Sequence, residues 1–406
     1  MNELQYLESR AMIRKIQANI YKLYLIKLSK WLMLIMPIVA LFYRENGLND
    51  FDIYFLQAIY AVSVAIMEIP SGYMADIIGR KKSLVLGSIM GSLGFFMYTF
   101  SSSFSGFLVA EIILGLGSSF ISGSDSALLY DSLAAIRMKH RYLQFEGRIT
   151  SLGNFAETAA AFCGGLLAGY LGYRSVYFVQ GIIAFIAVPA SLLLMEPPRD
   201  HPIEVPGFAH ILIVCKETLI TNKKLRSTIF FSSVIGISTL CMAWTVQIYF
   251  TAAGLTAYEI TPLWVALNLT VAVAAAFAAD IVTLLGERKS LLLILFFIPF
   301  GYILLGILQF RAAVISLFLF YTIRGYATPV LKDLININCS SSTRATVLSI
   351  RSMIIRFGFA VIGPVTGFFS EQFSLTAALV LTGSLLMIFS VVSGSMLFVN
   401  IAIKRN

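Results

Sequence analysis

The stretch GYMADIIGRKKSL, from Gly72 to Leu84, is a short polar segment between two apolar ones. FLQAIYAVSVAIM precedes it and VLGSIMGSLGFFMY follows it. The segment holds one carboxylate, Asp76, and three consecutive cations, Arg80–Lys82. Two apolar runs joined by a short basic segment are typical of two membrane-spanning helices that turn on the cytoplasmic side of a membrane.

The composition of the whole chain supports this interpretation. Of its 406 residues, 58% are hydrophobic and only 13% are charged, and the mean hydropathy is +0.84. Soluble domains carry about 25% charged residues, so a water-soluble protein is excluded. Runs such as LLLILFFIPFGYILLGIL, from Leu291 to Leu308, lack the alternation of a β-barrel strand. The predicted class is an all-α polytopic membrane protein.

Apolar windows long enough to span a bilayer recur from Ile20 to Val399, and we count twelve. The chain begins with a polar segment that lacks the features of a cleavable signal peptide. The predicted spans are 19–43, 51–74, 83–101, 105–133, 148–170, 174–195, 227–251, 259–284, 290–309, 312–334, 345–370 and 374–399.

The distribution of basic residues predicts the orientation of these spans. With both termini in the cytoplasm, the outer segments hold only Arg44, Arg174 and Arg311, and most other lysines and arginines fall in inner segments. This asymmetry explains the net charge of +9, so no nucleic-acid partner is expected. The predicted location is the plasma membrane, specifically the inner membrane of a bacterium.

The longest connection between spans predicts the domain organisation. It separates an N-terminal six-helix bundle, 1–195, from a C-terminal six-helix bundle, 227–406, with a cytoplasmic linker at 196–226. The prolines of EPPRDHPIEVPG break any helix at the start of this linker. Its second part, 207–221, is either a short amphipathic helix on the inner surface or a plain linker.

Short similarities between the two halves suggest a duplicated six-helix unit. Asp131 lies in LLYDSL at the end of the fourth span, and Asp333 lies in VLKDLI at the end of the tenth. Asp76 precedes GRKKS after the second span, and Asp280 precedes GERKS after the eighth. Duplication of a helical unit is a common plan in transporters.

With these features, the chain resembles the major facilitator superfamily of secondary transporters. The matches to the superfamily's signature between helices 2 and 3 are Gly72, Ala75, Asp76, Gly79, Arg80, Lys81 and Leu84, with Ile77 where a basic residue is common. The resemblance implies two six-helix bundles that transport a small molecule by alternating access. It also implies a monomer that is not an enzyme and needs no cofactor; no metal-binding cluster is expected.

The signature also predicts a conformational gate. Gly72 would let neighbouring helices approach closely, and Asp76 would accept hydrogen bonds from Arg80 or from a helix N-terminus. The alternative is that the cations only anchor the loop at the membrane surface. Asp131 would pair with Arg351 or Arg344. The gate candidates are Gly72, Asp76, Gly79, Arg80, Lys81, Asp131, Asp280 and Arg344.

Ionisable residues within the spans are candidates for coupling and binding, because a charge in mid-membrane is costly. The candidates for proton coupling are Asp125, Glu157, Glu111 and Glu68. Glu111 and Asp125 share a helix face at about 100° per residue, and would mark two ends of one polar pathway. Lys27 either reaches the inner surface or faces a cavity.

The resemblance implies that helices 1, 4, 7 and 10 line the central cavity. The substrate-binding candidates are Arg324, Arg356, Lys30, Trp244, Gln247 and Tyr321. As an alternative, Arg324 and Arg356 pair with Asp125 and Glu157 only to hold the bundle together. Glu111 stands where the family often has an arginine associated with proton handling, so antiport loses part of its usual sequence support.

These observations lead to one functional hypothesis and two alternatives. The main hypothesis is secondary transport coupled to protons, with efflux of small amphiphilic or anionic compounds. The first alternative is a proton-coupled symporter that imports an anionic nutrient or metabolite. The second is a membrane receptor or scaffold that transports nothing. No nucleotide-binding loop or nucleophile–base motif points to an enzyme.

Overall fold

The computed structural model describes residues 3–197, 215–308, 311–339 and 344–402. In these ranges the chain is almost entirely helical and has no strand, which confirms the all-α class. The helices of the N-terminal half are α1 (Glu3–Trp31), α2 (Val39–Glu45), α3 (Asp50–Ile78), α4 (Arg80–Phe100), α5 (Phe104–Ile121), α6 (Ser124–Ala135), α7 (Tyr142–Leu171), α8 (Tyr173–Phe185) and α9 (Ala187–Leu192).

The C-terminal half continues this pattern of long helices joined by short connections. Its helices are α10 (Lys223–Ala252), α11 (Ala257–Ala276), α12 (Ala278–Leu285), α13 (Glu287–Ile307), α14 (Leu317–Asn338), α15 (Arg344–Gln372) and α16 (Leu375–Ala402). Short 3₁₀ segments occur at Lys139–Arg141 and Arg311–Ser316, and a π-helical turn occurs at Glu217–Thr221.

The helices agree with a polytopic membrane protein. Within the described ranges, 10 helices are long and apolar enough to cross a membrane, and Phe155–Leu171 is a shorter apolar helix. The predicted first span, 19–43, is divided between α1 and α2 and does not qualify. The cytoplasmic orientation of the termini stays a prediction.

The chain divides into two compact units. The first contains Met1–Phe42 and Val62–Val205, and the second contains Tyr43–Ala61 and Pro206–Asn406. Of the predicted surface segment at 207–221, residues 207–214 lie outside the described part of the structure. After it, the Asn222 side chain caps α10 by accepting a hydrogen bond of 3.0 Å from the Leu225 amide. The division into six and six spans stays a prediction.

In the first unit, α4 lies at the centre, where it packs against α5 and α8. Small residues allow this packing, because a Cβ added to Gly87 would lie 2.7 Å from the Gly117 carbonyl oxygen of α5. A second apolar cluster joins α1, α6 and α9 and includes the buried Leu23, Leu128 and Leu194.

Helix interruptions in the first unit include one after α1 and one after α5. Helix α1 ends at Trp31, and α2 begins only at Val39, after a turn that contains Pro37. The Leu34 amide in this interruption donates a hydrogen bond of 2.8 Å to the buried Gln180 side chain. Irregular backbone within a membrane must find partners in the protein, and Gln180 meets this need.

The second interruption separates α5 from α6. Gly123 has a φ of +79°, a conformation that glycine adopts without steric cost. Helix α6 therefore restarts in a new direction at Ser124, and Asp125 lies in its first turn. The fourth predicted span, 105–133, thus agrees with the apolar span Phe104–Ala135 but is interrupted between α5 and α6.

In the second unit, α10 is the most buried long helix, and α13 packs against α16. The start of α3 joins this unit through Asp50, which is 6% exposed. The Asp50 carboxylate forms an ion pair with Arg44 and accepts a hydrogen bond of 2.6 Å from the Ser370 hydroxyl. The Asp50 amide donates a hydrogen bond of 2.7 Å to Glu371, at the end of α15.

We expect the substitution Asp50→Ala to destabilise the protein. It removes the carboxylate that pairs with the Arg44 guanidinium and accepts the hydrogen bond of the Ser370 hydroxyl. Because the Arg44 side chain is 38% exposed, solvent screens the ion pair, and we expect a cost of about 1.5 kcal/mol. Thermal unfolding in detergent would show a lower melting temperature. The control is Asp52→Ala, because the Asp52 carboxylate accepts a hydrogen bond of 3.1 Å from the nearby Asn49 amide and has no ion pair among the described residues. Equal melting temperatures for the two variants would contradict the expectation.

Candidate functional site

A cavity of about 390 Å³ lies in the first unit, where both helix interruptions contribute to its wall. Small-molecule sites typically have volumes of about 300–1,000 Å³, so the cavity is large enough for a small ligand. Interrupted helices at membrane depth are a strong indication of a binding site in transporters. Its lining residues are Lys27, Lys30, Trp31, Met33, Ser122, Gly123, Asp125, Ser126, Glu146, Ile149 and Glu157.

Lys27 contacts three polar side chains of the cavity. The Lys27 Nζ donates a hydrogen bond of 2.6 Å to Glu146 Oε1 and one of 3.1 Å to Ser126 Oγ. It lies 3.6 Å from Asp125 Oδ2. Lys27 and Asp125 are each 8% exposed, so this ion pair is largely removed from solvent. We call Lys27, Asp125 and Glu146 the charged triad.

Local structure fixes the carboxylates of the triad. The Ser126 amide donates a hydrogen bond of 2.6 Å to Asp125 Oδ1, in the first turn of α6. A carboxylate is favourable at this position because the N-terminus of a helix carries partial positive charge. The Ser126 hydroxyl donates a hydrogen bond of 2.9 Å to Glu146 Oε1, which links α6 to α7.

Tyr142, in the first turn of α7, adds a neutral polar group beside the triad. Burial raises the pKa of Tyr142, and the Glu146 and Asp125 carboxylates act in the same direction, against a hydrogen bond with Ser126. The phenol therefore stays protonated at neutral pH and does not add a negative charge to the cavity.

The cavity carries an excess of negative charge when its groups are ionised. Its ammonium groups are those of Lys27 and Lys30, and its carboxylates are those of Asp125, Glu146 and Glu157. The lining therefore holds three carboxylates and two ammonium groups. A proton or a cationic ligand would restore the balance.

The sequence predicted three of these residues, Asp125, Glu157 and Lys30, and the structure places them around one cavity. The sequence placed Glu146 in a loop before the predicted span at 148–170. In the structure Glu146 lies in α7, since this helix begins at Tyr142. A signal was present in the spacing: Glu146 and Glu157 are eleven residues apart, so they share a helix face to within about 20°. Lys27, which the sequence left between two alternatives, faces the cavity.

Two other predicted coupling residues, Glu111 and Glu68, do not line the cavity. Glu111 accepts a hydrogen bond of 2.6 Å from the Tyr98 hydroxyl, and the Tyr98 ring stacks on Tyr177 at 4.9 Å. The prediction that Glu111 and Asp125 share a helix face is wrong. It assumed a continuous helix, and the interruption at Gly123 changes the rotation between them.

The start of α4, within the segment from Gly72 to Leu84, forms a second polar cluster in the first unit. The Arg80 and Lys81 amides, at the start of α4, each donate a hydrogen bond of 2.9 Å to the Glu196 carboxylate. Gly79 precedes them with a φ of +100°. Glu196 thus caps α4, a role that the sequence did not predict.

Arg80 links this loop to α6. Its guanidinium forms an ion pair with Asp131 and donates a hydrogen bond of 2.8 Å to the Ala127 carbonyl oxygen. Within the first unit the partner of Asp131 is thus Arg80, a pairing that the sequence did not predict. The pairing of Asp131 with Arg351 or Arg344 stays a prediction. Arg351 donates a hydrogen bond of 2.5 Å to the Ser232 hydroxyl in the second unit.

The other gate candidates receive less support. Gly72 is exposed, and a Cβ added to it would meet no atom within 4 Å among the described residues, so the expected close packing is not observed. Asp280 is exposed in the first turn of α12. The side chains of Asp76 and Arg344 lie outside the described part of the structure.

The predicted substrate residues of the second unit lie on three helices. Arg324 stacks its guanidinium over the buried Tyr321 ring of α14, at 5.2 Å. The Arg356 Nε on α15 is buried and has no hydrogen-bond acceptor among the described residues. On α10, Gln247 is buried and Trp244 is half-buried. Within the described part of this unit, neither arginine has a carboxylate within 4.0 Å.

Comparison with known proteins identifies the family. Residues 31–339 match the sequence profile of the Major Facilitator Superfamily. The chain belongs to this superfamily. The Major Facilitator Superfamily is a family of membrane transporters rather than enzymes, so the prediction of a non-enzymatic protein is confirmed.

Individual relatives agree with this assignment. An uncharacterized MFS-type transporter of Methanocaldococcus jannaschii is 26% identical over 184 residues, which cover 45% of this chain and 47% of the relative. Quinolone resistance protein NorA of Staphylococcus aureus is 24% identical over 166 residues, which cover 41% of this chain and 42% of NorA. The chain thus matches less than half the length of these curated relatives.

A solved structure supports the superfamily fold over nearly the whole chain. It is a bacterial homolog of the human lysosomal transporter Spinster, and the TM-score is 0.77 at 16% sequence identity. The match covers 95% of this chain and 97% of the other. The predicted fold of the superfamily is therefore confirmed.

We expect Glu196→Ala to loosen the first turn of α4. The substitution removes the acceptor of two backbone amides, and the loss of a helix cap costs about 1 kcal/mol. Hydrogen exchange measured by mass spectrometry would show faster exchange at Arg80–Ser83. Glu287→Ala is the matched control, because Glu287 is exposed in the first turn of α13, after Gly286 with a similar φ of +80°. Unchanged exchange in the Glu196 variant would refute the capping role.

Proposed function

We propose that this protein is a secondary active transporter that exports small amphiphilic or anionic compounds in exchange for protons, by alternating access. It works as a monomer in the plasma membrane of a bacterium, with protons and the lipid bilayer as its other partners. The observation that carries the proposal is the charged triad, Lys27, Asp125 and Glu146, in a cavity at two helix interruptions.

The triad has the chemistry that proton coupling requires. Two carboxylates share the Lys27 ammonium, and the surroundings hold water away from Asp125. A buried carboxylate near both a cation and another carboxylate changes its proton affinity when either neighbour moves or binds a ligand. The titratable groups that face Asp125 in and beside the cavity are Lys27, Lys30, Tyr142, Glu146 and Glu157.

The triad supplies a cation that is missing at position 111, where this chain has Glu111. Members of the superfamily often have an arginine at that position, and it is associated with proton handling. In this chain Glu111 is hydrogen-bonded to Tyr98 instead. A cation next to carboxylates is supplied elsewhere, by Lys27, so we place proton coupling at the triad.

The direction of transport rests on similarity. NorA, which matches part of this chain, is a quinolone resistance protein. Resistance to a compound is consistent with its removal from the cell, and we extend this direction to the present protein.

A second candidate is the proton-coupled import of an anionic nutrient. It is favoured by Arg324 and Arg356, which have no carboxylate partner among the described residues of their own unit. A charge at membrane depth without a partner is a candidate for ligand binding. A non-transporting receptor or scaffold would not need these groups.

The proposal predicts that Asp125→Asn abolishes transport driven by a pH gradient. The amide keeps the size of the carboxylate but cannot release or bind a proton at neutral pH. The measurement is the movement of ethidium, a permanently charged amphiphile, and of carboxyfluorescein, an anion, across proteoliposomes with an imposed pH gradient. Asp333→Asn is the control, because Asp333 is exposed and does not line the cavity.

The results separate the three functions. Loss of movement in the Asp125 variant, with normal movement in the control, supports proton-coupled exchange. Movement of a probe in the same direction as the protons would contradict efflux and favour symport. No movement of any probe by the unmodified protein would favour a receptor or scaffold.

The anionic candidate makes its own prediction. Arg324→Ala should weaken the binding of carboxyfluorescein by about tenfold, since a charge-assisted hydrogen bond contributes about 1.5 kcal/mol or more. Isothermal titration of the purified protein measures this binding. Arg288→Ala is the matched control, because the Arg288 guanidinium also stacks over an aromatic ring, that of Phe398, at 6.0 Å, and Arg288 is exposed. Unchanged affinity in the Arg324 variant would exclude the anionic candidate.

A further inference from the structure

The side chain of Lys27 shows what kind of group the cavity is built to hold. Its ammonium group donates hydrogen bonds to Ser126 and Glu146 and forms an ion pair with Asp125. We call these three residues the ammonium cradle. We propose that the cradle recognises a primary ammonium group of the transported compound, which takes the place of the Lys27 ammonium. This inference rests on the proposed function and names the substrate class.

The geometry of the cradle suits a primary ammonium. Glu146 Oε1 at 2.6 Å and Ser126 Oγ at 3.1 Å accept hydrogen bonds from the Lys27 Nζ, and Asp125 Oδ2 lies at the ion-pair distance of 3.6 Å. A primary ammonium has three N–H donors, so it can address all three oxygens. A quaternary ammonium has no donor, and a carboxylate would be repelled by Asp125 and Glu146.

The charge of the cavity favours the same class of ligand. With Lys27 and Lys30 protonated and Asp125, Glu146 and Glu157 ionised, the lining has one excess negative charge. A ligand with one positive charge neutralises the cavity, whereas an anionic ligand doubles the imbalance. Opposite charges attract and like charges repel, so this lining favours a cationic ligand over an anionic one.

Lys27 is suited to leave the cradle when a ligand arrives. A lysine ammonium is a compact charge on a flexible four-carbon stem, so it can change position without a movement of the helix. The cradle residues are more constrained. Asp125 is hydrogen-bonded to the Ser126 amide, and Ser126 is hydrogen-bonded to Glu146. The acceptors therefore keep their arrangement for a second ammonium.

An apolar wall lies near the cradle and suits the rest of the ligand. Trp31, Met33 and Ile149 line the same cavity. The Trp31 indole packs directly on α7, because a Cβ added to Gly153 would lie only 2.8 Å from the Trp31 Cδ2. A rigid aromatic surface beside an ammonium site predicts an amphiphilic amine, with an apolar or aromatic body and one primary amino group.

The test compares three compounds of similar shape on the purified full chain in detergent. The probes are phenethylamine, its neutral N-acetyl derivative and the anion 3-phenylpropionate, and the measurement is isothermal titration. We expect only phenethylamine to bind in the cavity. Lys27→Met should strengthen its binding by about tenfold, since it removes the competing ammonium at a contact worth about 1.5 kcal/mol or more. Glu146→Gln should weaken it by a similar factor.

Matched variants make the result specific. Lys22→Met removes a lysine of the same helix whose Nζ donates to the Leu193 carbonyl oxygen, and it should leave phenethylamine binding unchanged. Lys27→Arg keeps a cation at the cradle and should not strengthen binding. Melting temperatures of all variants identify any that fail to fold, and Glu146→Gln tests the cradle with Lys27 in place.

Three outcomes would overturn the inference. Weaker or unchanged phenethylamine binding in a folded Lys27→Met variant would mean that the lysine only stabilises the unit. If the unmodified protein bound 3-phenylpropionate more tightly than phenethylamine, the cavity would prefer anions. Failure of both the unmodified protein and Lys27→Met to bind phenethylamine would exclude the site. Binding in detergent needs no proton gradient. The binding test of the cradle therefore gives the same result whether or not the protein shows proton-coupled transport.

Discussion

The arrangement of the first unit depends on hydrogen-bond partners for the backbone groups that lie outside regular helix. Amide and carbonyl groups in an interruption need partners that lipid does not offer, so irregular backbone occurs at membrane depth only against protein or a polar cavity. Here the interruption after Trp31 is supported by Gln180, and Gly164 of α7 approaches it so closely that an added Cβ would lie 1.9 Å from the Leu34 carbonyl oxygen. The charged triad lies where this interruption and the one at Gly123 line a cavity.

Helix interruptions also explain why the charges are stable where they are. Asp125 lies in the first turn of α6 only because Gly123 restarts the helix. In a continuous helix its carboxylate would have no free amides nearby. The backbone conformation of one glycine thus places a carboxylate next to Lys27, at 3.6 Å, inside a largely apolar unit.

Much of the fold could be predicted from the sequence because lipid imposes a simple rule, a long apolar run for each span. The segment from Gly72 to Leu84 and the repeated apolar windows were sufficient for the all-α class and the superfamily. Positions of interruptions followed a weaker signal. Pro37 and Gly123 each lie within apolar runs, and many prolines and glycines in this chain, such as Pro70 within α3, do not interrupt a helix.

The site was predictable in part for a related reason. Asp125, Glu157 and Lys30 are charges within apolar runs, where a charge is unusual. Glu146 lies in a polar stretch, where a carboxylate is common and does not indicate a site. Partners were harder still. The pairing of Arg80 with Asp131 and the contact of Glu196 with α4 join positions far apart in the chain, and spacing along the sequence carries no information about them.

The Glu196 contact has a practical consequence for dividing the chain into separate fragments. By helix ends alone, the N-terminal half would finish at Leu192, and the predicted boundary at 195 leaves Glu196 on the linker side. Yet the Glu196 carboxylate completes the first turn of α4, more than a hundred residues earlier. A fragment that stops short of Glu196 would carry every helix of its half and still lack one of its caps.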